Sequence, residues 1–110
     1  MNPFPKELEF SNAGFHNGRR LIRVSSPFEA FTSFGKFTVP SGFLSDGASI
    51  PQLAESIIGD PLGAYLEEAV VHDYLYSSDN NTTPPITRSE ADLVLKELMY
   101  NKGHSFWKIQ

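Results

Sequence analysis

A chain of 110 residues is long enough for one domain and too short for two. At this size roughly two-thirds of the unfolded surface is buried on folding, which allows one modest core. Cysteine is absent, which excludes a disulfide framework, a thiolate zinc site and a cysteine nucleophile. Nine basic and thirteen acidic residues leave a net charge of −4, which argues against non-specific attraction to nucleic acid or to an anionic membrane.

Nine Phe, four Tyr and one Trp in a chain that is 40% hydrophobic describe a folded sequence, not a disordered one. No apolar run approaches the ~20 residues of a membrane span. The opening residues lack the apolar stretch of a cleavable signal peptide, so synthesis and folding are expected in the cytoplasm.

The first half, residues 1–51, reads as short strands broken by turn residues. Asn17-Gly18 suits a two-residue hairpin turn, since both tolerate positive φ. Arg20 to Val24 alternates in the manner of a strand, Phe28 to Phe34 forms another, and Lys36 to Val39 follows Gly35 as a third. Three or four antiparallel strands are expected. The second half, residues 52–110, reads as helical. Asp60-Pro61 is a helix start, because Asp caps and Pro in the first turn loses no hydrogen bond. That helix is predicted to run from about Pro61 to Tyr76 and to end at the polar, proline-containing loop 77–85. Thr87-Arg88-Ser89-Glu90 has the spacing of a capping box, and the helix it opens runs to about Lys102, before Gly103. The expected class is α+β in one domain: a small antiparallel sheet followed by a helical pair.

Chemistry is concentrated on the two helices. At 100° per residue, Leu62, Tyr65, Leu66, Ala69 and Tyr76 form an apolar stripe on the first helix, with Asp73 inside it and His72 at its edge. Glu67 and Glu68 point elsewhere, as solvated carboxylates do. A carboxylate aimed at a core is costly unless paired, hydrogen-bonded or bound to a metal. On the second helix Ala91, Leu95, Leu98 and Met99 form the stripe, and Asp92 lies on its shoulder. His72, Asp73 and Asp92 are therefore expected to converge, either as a functional site or as a structural network in which Asp92 pairs with Arg88. Ser45 to Pro51, with Asp46 and Ser49 around Gly47, reads as a connector that could add oxygen ligands to that site. An oxygen-rich set suits a hard cation such as calcium better than zinc. His16 and His104 read as surface residues, and Phe106-Trp107 as a pair packed on the sheet.

The order Phe37-Thr38-Val39-Pro40-Ser41-Gly42-Phe43, Ser45 to Pro51, His72-Asp73-Tyr74-Leu75-Tyr76, Arg88 and Ala91-Asp92 resembles a family common in bacteriophages and prophages and catalogued only as a domain of unknown function. The likeness spans residue 35 to about 103 and implies a phage origin, with other virion proteins as partners and the host cytoplasm or the virion as location. A narrower likeness is carried by His72-Asp73-x-x-Tyr76 on one helix and Ala91-Asp92 on the next, which is similar to phospholipase A2 of the viral capsid type. That resemblance implies His72 as general base, Asp92 as the acid orienting it, Asp73 as calcium ligand and Tyr76 in the same network. A calcium loop would fall at Gly59 to Gly63 or at Asp46-Gly47. The leading expectation is a phage-encoded hydrolase-like protein acting on a lipid or cell-envelope ester with a divalent cation. The alternative is a virion or tail-associated structural protein in which the His-Asp-Tyr network only locks the helices. A metal-dependent peptidoglycan hydrolase using His104, or an inhibitor of a host defence protein, would also suit the sequence.

Overall fold

Ile22 and Val24, 1% and 0% exposed, flank the exposed Arg23 and show why residues 19–24 form a strand: one face is taken into the core and the other is left in water. The computed structural model describes residues 3–16, 18–45, 66–77, 80–82 and 85–101. Within these, five strands in two small sheets precede two helices, the expected α+β class. β1 (Phe10–His16) pairs antiparallel with β2 (Arg19–Val24), and β5 (Leu44–Ser45) pairs with the other edge of β2. His16 lies opposite Arg19 and Gly18 has φ +79°, so β1 and β2 form an antiparallel hairpin. The register slips between Asn12 and Phe15, a β-bulge containing Gly14. The hairpin signal at Asn17-Gly18 implies a strand before it, but the bounds of β1 were not legible because it scarcely alternates and faces solvent over most of its length.

β3 (Phe28–Thr32) and β4 (Gly35–Val39) form the second sheet. Phe28 lies opposite Val39 and Ala30 opposite Phe37, and all four are buried. β3 stops at Thr32, short of the expected Phe34, because Ser33 and Phe34 make the turn; Thr32 Oγ1 donates to Gly35 O and accepts from Phe34 N. The turn at Pro40–Phe43 returns the chain to the first sheet: Phe43 N donates to Pro40 O, Gly42 N to Val24 O and Val24 N to Phe43 O. Gly42 has φ +94° at the third position of this turn, a conformation that L side chains resist.

α1 (Leu66–Tyr76) packs against β4, β5 and α2 (Arg88–Asn101). Residues 61–65 of the expected first helix lie outside the described residues. Enclosure on several sides buries five consecutive residues of α1, Glu68 to His72, so a single apolar stripe does not describe it. α2 keeps the simpler pattern, with Ala91, Val94, Leu95, Leu98 and Met99 at 0% exposure and Leu93 and Tyr100 outside. Its start is the predicted capping box, with Glu90 N donating to Thr87 Oγ1 at 3.1 Å and Thr87 N donating to Glu90 Oε1 at 2.9 Å. Among the described residues no helix is long and apolar enough to cross a membrane.

Candidate functional site

His72 and Tyr76 are one turn apart on α1, which places them on one side of the helix, and Asp92 meets them from the fifth residue of α2. His72 Nε2 lies 2.7 Å from Asp92 Oδ1. Tyr76 OH donates to the same oxygen, also at 2.7 Å. The imidazole and phenol rings are tilted against each other with centroids 4.4 Å apart, and the Arg88 guanidinium lies over the Tyr76 ring at 5.0 Å. One carboxylate oxygen thus gathers two donors from the neighbouring helix.

Burial changes sharply across this cluster. The His72 side chain is 0% exposed, whereas that of Asp92 is 43% exposed. Burial pushes the His72 pKa below its ordinary value; the hydrogen bond and charge of Asp92, and the charge of Asp73, oppose this without overcoming it. The imidazole is therefore neutral at neutral pH. With Asp92 accepting from Nε2–H, the ring lone pair belongs to Nδ1. Tyr76 is shifted upward by its desolvation, then by its hydrogen bond to Asp92 and the Asp92 charge, with Arg88 opposing, so the phenol keeps its proton and remains a donor.

Of the residues singled out in the sequence, His72, Asp92 and Tyr76 come together directly and Arg88 joins through the Tyr76 ring. Asp73 does not occupy the centre of a buried stripe: it is half-buried, because the faces of α1 that reach the core are those of Val71, His72 and Leu75 and of Val70 and Tyr74. Neither Asp73 nor Asp92 is a fully core-facing charge. Asp46 and Ser49, both candidate calcium loops, His104 and Phe106-Trp107 lie outside the described residues. His16 is exposed at the end of β1, as expected.

Glu68 is a second residue, after Asp73, that the helical wheel misplaces. It was expected in solvent and is 0% exposed, one turn before His72 on the same side of α1. The i−4 spacing from His72 is the signal that could have found it. Among the described residues no group of three or more His, Cys, Asp or Glu could hold a metal ion, and Asp46 and both candidate calcium loops lie outside them.

Comparison with known proteins places residues 22–110 within a family described as "Protein of unknown function (DUF1353)". An uncharacterized protein of Sinorhizobium fredii, y4jT, is 47% identical over 66 residues, which cover 58% of this chain and 20% of that protein. The matched region thus spans about a fifth of the length of that relative. No solved structure matches the chain.

Proposed function

The chain belongs to the DUF1353 family, whose description assigns no activity, and from the geometry at His72 we propose that it is a hydrolase of lipid or cell-envelope esters. The observation that carries this reading is the shared oxygen of Asp92, which holds His72 Nε2 and Tyr76 OH at 2.7 Å each. That arrangement fixes the tautomer and direction of a neutral imidazole, as a general base requires. Opening of the enclosed ring to substrate would let its second nitrogen, Nδ1, take a proton from water as the water oxygen bonds to the ester carbonyl carbon. Collapse of the adduct breaks the carbon–alkoxide bond, and the imidazolium returns the proton to the leaving oxygen. Asp92 stabilises the imidazolium between the two steps, and Tyr76 holds Asp92. A divalent cation would polarise the carbonyl where one is bound; Asp73 is the described carboxylate nearest in sequence to that role, with Asp46 the second candidate. The phage likeness makes a host envelope the natural source of substrate.

The test is incubation with phospholipid vesicles and with extracted cell envelope, with and without calcium, followed by mass spectrometry of released acids. Release by the wild type that falls by about two orders of magnitude in Asp92→Asn supports the reading.

A second reading is favoured by one observation, the complete enclosure of His72. In it the His72–Asp92–Tyr76 cluster is a lock between α1 and α2 in a virion-associated structural protein. Co-purification with virions, together with no ester release by the wild type, would select it.

A further inference from the structure

Arg88 is the first residue of α2 and is exposed. A cation at that position is opposed by the positive end of the helix dipole. Arg placed four residues before Asp is also the weaker orientation for an ion pair, and among the described residues its guanidinium makes none. Helix stability therefore does not explain an arginine here. Its recorded contact is with the Tyr76 ring, 5.0 Å from the centroid, and no hydrogen bond among the described residues takes up its N–H donors. Tyr76 donates to Asp92, and its ring is 4.4 Å from that of His72, so the free cation stands one side chain away from the imidazole.

We infer that Arg88 is an anion-binding residue beside this site, and that the ester cleaved at His72 carries a phosphate or carboxylate beside the scissile bond. A guanidinium suits such a group because its planar fork matches two oxygens at once, and the Tyr76 ring supports it from one face. The substrate class rests on the hydrolase reading; anion binding by Arg88 does not.

Three esters sharing one acyl chain separate the possibilities: phosphate-bearing, carboxylate-bearing and uncharged. Arg88→Gln is expected to raise KM for a charged ester about tenfold, with kcat little changed and the uncharged ester unaffected. Arg88→Lys is expected to recover part of the loss, because it restores charge without the fork. In parallel, glycerol 2-phosphate and succinate are titrated while the Arg88 Nε–H resonance is followed; a saturable shift, larger for whichever anion the site prefers, is expected. An equal KM rise for all three esters, no rise for the charged ones, or no shift with either anion would overturn the inference even where esters are cleaved. A saturable shift without cleavage of any ester would leave the anion site standing and remove the hydrolase reading.

Discussion

Asp92 and His72 sit on opposite sides of a burial boundary although 2.7 Å separates them: the carboxylate side chain is 43% exposed and the imidazole 0%. The pair therefore joins a solvent-reachable charge to an enclosed, neutral base. This asymmetry makes the network sensitive to protons and to loss of the carboxylate in different ways.

Stability responds to acid through His72. Its folded-state pKa lies below the unfolded 6.5, so below pH 6.5 the unfolded chain binds the proton more readily. The wild type is expected to lose stability as pH falls from 6.5 toward the folded pKa, and His72 contributes no slope above 6.5. Urea midpoints at pH 5 and pH 7.5 measure this. The difference between the two should shrink in His72→Gln, which lacks the titrating ring.

Removing the acceptor separates charge from hydrogen bonding at Asp92. Asp92→Ala leaves the buried Nε2–H of His72 without its acceptor and should cost about 1–3 kcal/mol. Asp92→Asn keeps an oxygen for Tyr76 or His72 and should cost less than Asp92→Ala. Chemical denaturation of the two variants side by side gives the comparison.

The start of α2 supports the site because Asp92 stands only five residues after Thr87. Thr87→Ala removes the acceptor for Glu90 N and should destabilise the protein by about 1 kcal/mol. In a domain of this size that lowers the melting temperature by about 4 °C. Thr87→Ser, which keeps the hydroxyl, should melt close to the wild type.

The parts of the site visible in the sequence are those fixed by local spacing. His72 and Tyr76 share a side of α1 by i,i+4 geometry, and the Thr87–Glu90 box sets the start of α2, which determines where Asp92 points. What spacing could not supply is the number of neighbours around a helix. α1 is covered by β4, β5 and α2, so Glu68 is enclosed and Asp73 is displaced from the core, contrary to a one-stripe reading. The bounds of β1, implied only by the Asn17-Gly18 hairpin signal, stayed undefined for the opposite reason. Its side chains are mostly exposed, and it is held by the ladder to β2, a long-range pairing that leaves no alternation in the chain.

The most direct measurement is the rate of ester hydrolysis by wild type and His72→Gln, each compared with its own urea midpoint. Gln can still reach Asp92 with a side-chain N–H but offers no basic nitrogen. The hydrolase reading predicts acid release by the wild type and a loss of about two orders of magnitude in the variant while it remains folded. No release by the wild type, or equal rates in the two folded proteins, would contradict it.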